Sequence, residues 1–401
     1  MSNNDAALDT AAAHVRKLLL DQVQRVERIA KPVEWIDYSK LDSLVIGVIG
    51  GDGIGPIIAK ETVKVLKVLL KSEMGSGRVK INEIGGLEIE RRLKLMQPLP
   101  DDVLAEIKKC HVLLKGPTTT PEEGSGVPNI ESANISIRRA FDLFANVRPV
   151  RIPSEGVDWI FFRENTEGEY MLGSKGLMVT PDLAIDFKII TKPGAERIIR
   201  LAFEHARKTG RKKVTVVTKA NVIKTTDGLF LETARRVAKD YPEISWDGWY
   251  IDVFTAKLID EKRRRDFQVV VLPNLYGDIV TDEAAELQGG VGTAGSANLG
   301  ARFGMFEAIH GSAPRMITEG RGAYADPLSL MRAAVMMLEH VGMLSQSRRL
   351  SRALDICAVY EPQAKITGRP DGATASQFGD YVIATLDDPR LDERWQSFQA
   401  S

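Results

Sequence analysis

The sequence predicts an α/β fold, and two observations support this prediction. Short apolar runs with the composition of buried strands alternate with stretches whose apolar residues recur at helical spacing. Polar residues follow these runs, as they do where parallel strands end at the ligand-binding edge of a sheet. The first glycine-rich turn, GGDGIGP at 50–56, has neither the G-x-G-x-x-G spacing nor that of a P-loop. This turn therefore gives no support to a Rossmann fold.

The composition excludes several classes of protein. The 401 residues suffice for two or three domains, and 54 basic and 54 acidic side chains give no net charge and no indication of nucleic-acid binding. No window of about 18 residues is uninterruptedly apolar, and the N-terminus lacks the layout of a signal or transit peptide. The two cysteines, Cys110 and Cys357, are typical of buried small side chains in a reducing compartment. We therefore expect a soluble cytoplasmic protein without nucleic-acid or membrane partners.

The chain begins with a predicted helix over 11–30, in which apolar residues recur at helical spacing from Val15 to Ile29. The apolar stripe of this helix needs a partner, and packing within its own domain is favoured over a role in assembly. A buried strand at 44–49 leads through the glycine-rich turn into a helix from about 57 to 70. Glycine lets backbone amides approach an anion at a helix N-terminus, but a tight structural turn is an equal alternative.

Two polar segments follow in the first half of the chain. A predicted strand ends at Lys115 and leads into GPTTTP, where hydroxyls could contact a ligand or form an ordinary polar loop. Farther on, Ser132 or Asn134 and Arg138 fall on one side of a predicted helix, and Arg148 begins the next strand. Arginine is a common surface residue. Its guanidinium group nevertheless binds carboxylates in a bidentate manner, so this cluster suits a substrate with several carboxylates.

The main local motif follows an apolar strand at 269–272. The segment PNLYGDIVTD at 273–282 places Asp278 and Asp282 four residues apart, and in a helix this spacing puts both carboxylates on one face. Two like charges so close together favour a bound cation, and oxygen ligands suit Mg²⁺ or Mn²⁺. A lone D-x-x-x-D is more often a pair of solvated or N-cap residues. The other motifs of the chain are therefore needed to choose between this explanation and a metal site.

Four further segments contain the other candidate residues. They are RENTEGEY at 163–170, KANVIK at 219–224, Asp252 directly after a predicted strand, and FEAIHGSAPR at 306–315. The His-Gly-Ser loop in the last segment fits contacts to a nucleotide, although a lone histidine is more often structural.

Taken together, these segments resemble the isocitrate/isopropylmalate dehydrogenase family, the metal-dependent β-decarboxylating dehydrogenases. The resemblance runs from about residue 44 to residue 380 and implies a fold that is not a Rossmann fold. It also implies a homodimer in which the partner subunit completes each active site. The implied domains are an N-terminal helical extension at 1–43, a large discontinuous α/β domain at 44–143 and 289–401, and a smaller α/β domain at 144–288 with a dimer clasp near 168–191.

The resemblance assigns roles to individual residues. The ligands of Mg²⁺ or Mn²⁺ would be Asp278, Asp282 and Asp252 of the partner subunit, and the substrate would be bound by Ser132, Asn134, Arg138, Arg148 and Arg163. Tyr170 would protonate the enol, for which we expect a lowered pKa, and Lys219 of the partner subunit would assist removal of the hydroxyl proton. The cofactor would be contacted by Lys115, by Thr119, Thr120 and Asn221 on the nicotinamide side, and by His310, Gly311, Ser312, Ala313, Arg315, Met316 and Asp326 on the adenosine side.

The pair Ser132 and Asn134 is the pattern that this family uses for isocitrate. The implied reaction is therefore the oxidative decarboxylation of isocitrate to 2-oxoglutarate and CO₂ with reduction of NAD(P). The same chemistry on 3-isopropylmalate, homoisocitrate or tartrate is one alternative. A non-catalytic regulatory subunit of a hetero-oligomer is another, which is disfavoured because the chain retains the residues that such subunits lose: Asp252, Asp278, Asp282, Tyr170 and Lys219.

The choice of nicotinamide cofactor depends on the residue after His-Gly-Ser-Ala-Pro. NAD-using relatives place an acid there, whereas this chain has Arg315, a cation that could pair with the 2′-phosphate of NADP. Met316 and Gly368 depart from the usual NADP pattern. NADP is therefore slightly favoured, with NAD as the alternative.

Overall fold

The computed structural model describes residues 3–400 except 122, 123, 125 and 174. It divides into two compact units, each built from segments that are distant in sequence. The central unit comprises Met1–Glu34 and Phe144–Ala284, and the terminal unit comprises Trp35–Leu143 and Ala285–Ser401.

Strands and helices alternate along the chain, which confirms the predicted α/β class. The strands are β1 Leu44–Ile49, β2 Val79–Glu83, β3 Val112–Lys115, β4 Ala145–Ile152, β5 Val157–Glu164, β6 Leu177–Thr180, β7 Leu183–Ile185, β8 Lys213–Thr218, β9 Ser245–Tyr250, β10 Val269–Leu272, β11 Gly295–Leu299 and β12 Gly304–Ala308. The helices are α1 Asn3–Ile29, α2 Gly55–Leu69, α3 Lys71–Gly75, α4 Ile89–Leu95, α5 Asp101–Ile107, α6 Ala133–Ala140, α7 Lys192–Thr209, α8 Thr226–Ala238, α9 Ile251–Leu258, α10 Asn274–Gln288, α11 Pro314–Thr318, α12 Leu328–His340, α13 Leu344–Asp355, α14 Ala375–Asp387 and α15 Leu391–Ala400.

In the terminal unit the strands lie in the order β2-β1-β3-β12-β11. β2, β1, β3 and β12 are parallel neighbours, and β11 is antiparallel to β12. Parallel strands are covered on both faces, which is why β1 and β3 are almost continuously apolar and buried. Their carboxyl ends, and that of β12, therefore present the glycine-rich turn, the GPTTTP loop and the His-Gly-Ser loop along one edge.

In the central unit the order is β4-β5-β10-β8-β9. β4 and β5 form an antiparallel hairpin, whereas β5, β10, β8 and β9 are parallel. The carboxyl ends of these four strands lead into RENTEGEY, PNLYGD, KANVIK and Asp252. The polar segments that recur along the sequence thus meet at one edge of this sheet. A separate hairpin is formed by β6 and β7.

The N-terminal helix α1 packs against β6 and α7 of the central unit. It begins at Asn3, earlier than the periodic apolar stripe predicts, because the alanine-rich segment before residue 11 also favours helix. Leu18 and Arg25 are buried on this helix, whereas Leu19 and Val23 are exposed. Both cysteines are buried, as expected. No helix in the part of the chain that the structure describes is long and apolar enough to cross a membrane.

Candidate active site

The two aspartates of the D-x-x-x-D motif lie on one helix, as the sequence predicts. α10 begins at Asn274, so Asp278 and Asp282 are separated by about one helical turn. Arg148, on β4, approaches both carboxylates. Its Nη1 donates to Oδ1 of Asp282 at 2.8 Å, and its Nη2 lies 3.8 Å from Oδ1 of Asp278. In the chain alone, this guanidinium offsets the repulsion between the two carboxylates.

Arg163, the penultimate residue of β5, is held by side chains of α10. Its Nη1 donates to Asp278, while its Nε and Nη2 both donate to Oδ1 of Asn274, at 2.9 and 2.7 Å. The helix passes so close that a Cβ at Gly277 would lie 2.5 Å from Cγ of Arg163. Asn274 also donates from Nδ2 to the backbone carbonyl of Glu167 at 2.8 Å. Sequence reasoning missed Asn274 because it considered only the carboxylates of this segment.

Tyr170 joins the same cluster. Its hydroxyl donates to Oδ2 of Asp278 at 3.1 Å, and the guanidinium carbon of Arg163 lies 5.7 Å from the centre of its ring. Burial and, secondly, the negative charge of Asp278 raise the pKa of Tyr170, and the opposing effect of Arg163 is smaller. The lowered pKa expected from the sequence is therefore not found in the single chain.

Lys219 and Asp252 form a second cluster in the central unit. They follow the parallel neighbours β8 and β9, and Lys219 Nζ lies 2.6 Å from Oδ1 of Asp252. A hydrogen bond from this ammonium group holds the pKa of Asp252 below its ordinary value. Asn221 lies exposed in the turn after Lys219. The two residues that the family resemblance assigns to the partner subunit are therefore paired with each other.

Asp227 supports the second cluster from inside the protein. Its Oδ2 accepts the backbone N–H of Lys219 at 2.6 Å, and its Oδ1 lies 2.6 Å from Nζ of Lys188. Lys188 also lies 3.2 Å from Oε1 of Glu169. Sequence reasoning missed both Asp227 and Lys188. The available signal for Asp227 was a carboxylate at the start of the helix that directly follows KANVIK.

The carboxylate oxygens of Asp278 and Asp282 are suitable ligands for a hard divalent cation. Asp278 and Asp282 offer carboxylate oxygens on one helix face and keep 35% and 59% of their side-chain surface exposed. Mg²⁺ is commonly held by one or two carboxylates together with water and substrate oxygens. Among the residues that the structure describes, no group of three or more His, Cys, Asp or Glu side chains could hold a metal ion.

In the terminal unit, loops after β1, β3 and β12 contact one another. The backbone N–H of Ile54 donates to the carbonyl of Ser312 at 3.0 Å, and the hydroxyls of Thr119 and Ser312 lie 2.7 Å apart. Gly53 has φ +58°, and a Cβ there would lie 2.0 Å from the carbonyl oxygen of Ser312. This glycine is thus needed for contact between the loops, which supports the structural explanation of the glycine-rich turn.

A buried ion pair fixes the loop that carries Thr119. Arg92 Nη2 lies 2.9 Å from Oδ2 of Asp52, and the same oxygen accepts the backbone N–H of Thr119 at 2.7 Å. Arg92 Nη2 also donates to the carbonyl of Thr119 at 2.7 Å. Neither Asp52 nor Arg92 was predicted as a site residue. Thr120, the next residue, is exposed.

Lys115 is completely buried, and its amine forms hydrogen bonds with the GPTTTP loop from the protein interior. Nζ donates to the carbonyl of Gly116 at 2.9 Å and to Thr118 Oγ1 at 3.2 Å, and lies 3.9 Å from Glu307 Oε2. Burial lowers the pKa of Lys115 to about 8. Burial also opposes ionisation of Glu307, yet the positive charges of Arg138 and Lys115 hold the pKa of Glu307 below its ordinary value. Arg138 Nη2 lies 3.0 Å from Glu307 Oε1.

The predicted substrate residues of the terminal unit lie at the start of α6. Ser132 is the N-cap residue, and its hydroxyl makes no capping hydrogen bond. Asn134 Oδ1 accepts a hydrogen bond from Thr118 Oγ1 at 3.3 Å, which links α6 to the loop after β3. Arg138 follows one turn after Asn134 and is oriented by Glu307.

The residues predicted to face adenosine lie in and after the His-Gly-Ser loop. Burial lowers the pKa of His310, whose Nδ1 is 2.9 Å from the carbonyl of Gly311, and Ala313 has the left-handed φ of 45°. Arg315 is 85% exposed, and its Nε donates to Oε1 of Glu319 at 2.5 Å. Met316 is half-buried, and Asp326, whose pKa burial raises to about 6, accepts the N–H of Leu328 at 2.9 Å.

Known proteins resemble the chain over most of its length. It is 37% identical over 350 residues to subunit 2 of the mitochondrial NAD isocitrate dehydrogenase of Schizosaccharomyces pombe, covering 85% of this chain and 87% of that protein. It is 39% identical over 299 residues to the NADP isocitrate dehydrogenase of Rickettsia prowazekii, covering 73% and 58% of the two chains. The corresponding values for the homoisocitrate dehydrogenase of Methanocaldococcus jannaschii are 36% over 328 residues, with 78% and 89% covered.

A solved structure is similar as well. The isocitrate dehydrogenase of Methylococcus capsulatus matches with a TM-score of 0.74 and 35% identity, covering 86% of this chain and 100% of that one. The model of the family described as isocitrate/isopropylmalate dehydrogenase matches residues 45–380. This range agrees with the one predicted from the motifs. The chain therefore belongs to the isocitrate/isopropylmalate dehydrogenase family.

Proposed function

We propose that the chain catalyses the oxidative decarboxylation of isocitrate to 2-oxoglutarate and CO₂, with reduction of NAD(P), in the presence of Mg²⁺ or Mn²⁺. The observation that carries this proposal is the cluster of Asp278, Asp282, Arg148, Arg163 and Tyr170. It combines metal-ligand oxygens, guanidinium groups for carboxylates and a proton donor. Relatives named isocitrate dehydrogenase support the choice of substrate.

The central unit would supply the groups that bind metal and substrate. Asp278 and Asp282, with Asp252 of the partner subunit, would hold a divalent cation, which would supply a Lewis acid for the oxygen atoms of the substrate. Arg148 and Arg163, which neutralise the aspartates in the chain alone, would bind carboxylates of the substrate.

Two residues would move protons. Hydride would leave the carbinol carbon for the nicotinamide only as the hydroxyl proton is removed, and Lys219 of the partner subunit would assist that removal. Loss of the β-carboxylate as CO₂ leaves an electron pair on carbon. The hydroxyl of Tyr170 would supply the proton that this carbon takes up. In total, isocitrate loses a hydride, a proton and CO₂. It then gains one proton, which gives 2-oxoglutarate.

Residues at the start of α6 would supply specificity. Ser132 and Asn134 would donate hydrogen bonds to the additional carboxylate of isocitrate, and Arg138, held by Glu307, would pair with it. Thr119 and Thr120, with Asn221, would line the nicotinamide. Lys115 would act indirectly, because its buried amine supports the loop.

Ser132 provides a test of substrate placement that preserves the fold. Aspartate and asparagine are both good N-cap residues, so neither Ser132→Asp nor Ser132→Asn should destabilise α6. The aspartate adds a negative charge beside the substrate's carboxylate, and we expect kcat/KM for isocitrate to fall by on the order of 100-fold or more. Ser132→Asn, the neutral match, should retain much more activity. Equal kcat/KM values for the two variants in initial-rate assays would contradict this placement.

Arg315 provides a test of cofactor choice. Its guanidinium and that of Arg321 share one carboxylate, Glu319, with nitrogen–oxygen distances of 2.5 and 2.6 Å. We propose that the 2′-phosphate of NADP replaces Glu319 as the partner of Arg315. Arg315→Asp should lower the NADP-to-NAD ratio of kcat/KM by about 10- to 100-fold, because a hydrogen bond between charged groups is lost. Arg348→Asp makes the same charge change at an exposed site of α13. If the NADP-to-NAD ratio of kcat/KM were equal in wild type, Arg315→Asp and Arg348→Asp, a role for Arg315 would be excluded.

We propose a homodimer with shared sites. In each site, Asp278 and Asp282 of one chain would act with Lys219 and Asp252 of the partner subunit. This arrangement accounts for the pairing of Lys219 with Asp252, and for the two-carboxylate set on α10.

An initial-rate assay with isocitrate and Mg²⁺, run in parallel with NAD and NADP, tests the proposed reaction. Turnover supports it, and loss of turnover on chelation of the metal supports the metal requirement. Turnover of homoisocitrate or 3-isopropylmalate without turnover of isocitrate would contradict it.

Homoisocitrate is the second candidate substrate, because one relative is a homoisocitrate dehydrogenase. A protein that is inactive alone but stimulates a paralogue would instead be a regulatory subunit, a possibility raised by the relative named subunit 2.

A further inference from the structure

Two glutamates lie completely buried beside the candidate active site. Glu164 ends β5, directly after Arg163, and Glu167 follows three residues later. Glu164 accepts hydrogen bonds from the backbone N–H groups of Thr166 and Glu167 and from the hydroxyl of Thr166. Glu167 accepts hydrogen bonds from the N–H and hydroxyl of Thr191, the N-cap of α7, at 2.9 and 2.5 Å. The proposed reaction uses neither carboxyl group directly.

A cation of α1, Arg25, lies 142 residues earlier in the sequence and pairs with Glu167. Arg25 Nη1 donates to Oε1 of Glu167 at 2.7 Å, and the side chains of Arg25 and Glu167 are 9% and 0% exposed. Arg25 Nη2 lies 3.4 Å from Thr166 Oγ1. A buried ion pair with its lone pairs satisfied is costly to break, because removal of one partner leaves an uncompensated charge.

A short chain of contacts connects this ion pair to the metal and substrate residues. The backbone carbonyl of Glu167 accepts the Nδ2 hydrogen bond of Asn274, and Oδ1 of Asn274 accepts two hydrogen bonds from Arg163. Arg163 donates to Asp278. The amide of Asn274 can make both sets of bonds only in one orientation, with NH₂ towards Glu167 and oxygen towards Arg163. The position of Glu167 therefore sets the orientation of Arg163.

The charges around the two glutamates are balanced by arginines from two helices. Burial and the charge of Glu167 raise the pKa of Glu164 to about 7, while Arg197 of α7 acts in the opposite direction. Arg197 Nη2 donates to Thr166 Oγ1 at 2.9 Å, and its guanidinium lies 4.3 Å from the centre of the Phe144 ring. Glu167 lies at the N-terminus of α7, where the helix dipole favours a negative charge. Loss of Arg25 should therefore drive proton uptake by the pair.

We propose that Arg25 is a positioning residue, through which the N-terminal helix α1 holds Glu167 and Asn274 and so orients Arg163 and Asp278 for catalysis. Its kinetic effect rests on the proposed function. In this proposal Arg25 acts through Glu167, Asn274 and the backbone carbonyl between them.

The first test measures catalysis in the full-length protein. Arg25→Ala should lower kcat/KM for isocitrate by roughly 10- to 100-fold, the effect typical of groups that orient metal-site residues. It should also weaken Mn²⁺ binding, measured without substrate by electron paramagnetic resonance. Arg28→Ala, at an exposed position on the same helix, should change neither quantity. Wild-type kcat/KM and Mn²⁺ affinity in Arg25→Ala, with only a lower Tm, would overturn the proposal and leave Arg25 a structural residue.

The second test measures the proton balance of the glutamate pair. Infrared spectroscopy detects the carbonyl stretch of a protonated buried carboxyl group, and in Arg25→Ala the titration of this band should move to higher pH by about one unit or more. Arg28→Ala should not move it. This readout is independent of turnover, so a wild-type protein that fails to oxidise isocitrate would refute the proposed function while the infrared test still decides the coupling. An unchanged titration in Arg25→Ala would overturn the coupling.

A compensating variant separates a charge effect from misfolding. Arg25→Ala/Glu167→Gln removes both charges of the ion pair, and a glutamine amide can bind the N–H and hydroxyl of Thr191. It should therefore recover part of the kcat/KM lost in Arg25→Ala, and a kcat/KM no higher than that of Arg25→Ala would contradict a charge effect. Should Arg25→Ala not fold, Arg25→Lys decides the question, because it keeps the charge but has a single nitrogen in place of the Nη1 and Nη2 that contact Glu167 and Thr166. We expect Arg25→Lys to have a kcat/KM below that of wild type, and a wild-type value would overturn the proposal.

Discussion

Replacing Asp278 by asparagine should abolish metal-dependent turnover almost completely. Asp278 is the residue on which the cluster converges, since it accepts hydrogen bonds from Arg163 and Tyr170 and lies 3.8 Å from Arg148. Asparagine has nearly the same shape but carries no charge, so it should hold a divalent cation poorly and leave Arg163 without its counter-charge, while Arg148 keeps Asp282. We expect kcat/KM to fall by on the order of 1,000-fold, or roughly 4 kcal/mol of transition-state stabilisation.

The comparison variant for this experiment is Asp240→Asn, which makes the same chemical change on the same unit. Asp240 is exposed and pairs with Arg200, away from the cluster. Its replacement should leave kcat/KM unchanged and alter stability by roughly 0.5 kcal/mol or less. Mn²⁺ binding without substrate should weaken in Asp278→Asn and not in Asp240→Asn. Wild-type Mn²⁺ affinity in Asp278→Asn would show that α10 does not supply the metal ligands.

The aspartate pair shows which part of the site can be read from sequence. Its geometry is local, because a strand of four apolar residues followed by D-x-x-x-D on a helix fixes both carboxylates on one face. The same applies to strands β1, β3 and β10, whose continuous apolar runs gave their bounds directly. Alternation of such runs with helical stretches was enough for the α/β class.

Contacts between distant segments are the part that spacing cannot predict. Lys115 ends an apolar strand and was interpreted as a cofactor contact. The parallel pairing of β3 with β12 places Glu307 opposite it, and its amine is buried. Arg25 looks like a solvated residue of an amphipathic helix until α1 is packed onto the central unit. Asn274 carries no charge, so only its position between Glu167 and Arg163 reveals its role. In each case tertiary packing, and not local pattern, decides what the side chain does.

Mixing two inactive variants should restore activity if the sites are shared between subunits. Asp278→Asn removes a group from one side of the proposed site, and Lys219→Met removes the group that the partner subunit would supply. Each homodimer should be inactive, because every site then lacks one group. A mixed dimer has one site with both defects and one site with neither. After unfolding and refolding together in equal amounts, random pairing should give about a quarter of wild-type activity.

Activity returns in this mixture only if Lys219 and Asp278 of one site come from different chains. The experiment therefore decides whether the sites are shared. In the single chain, Lys219 is paired with Asp252 at 2.6 Å and held by Asp227, while Asp278 is surrounded by Arg148, Arg163 and Tyr170. If one chain supplied both groups to its own site, every site in the mixture would carry one defect, and no activity would return. A mixture of Asp278→Asn with Arg163→Ala is the control, because both changes affect the same side of the site. Since every mixed dimer then has one defect in each site, this control should stay inactive, and the contrast between the two mixtures identifies the subunit that supplies Lys219 to each site.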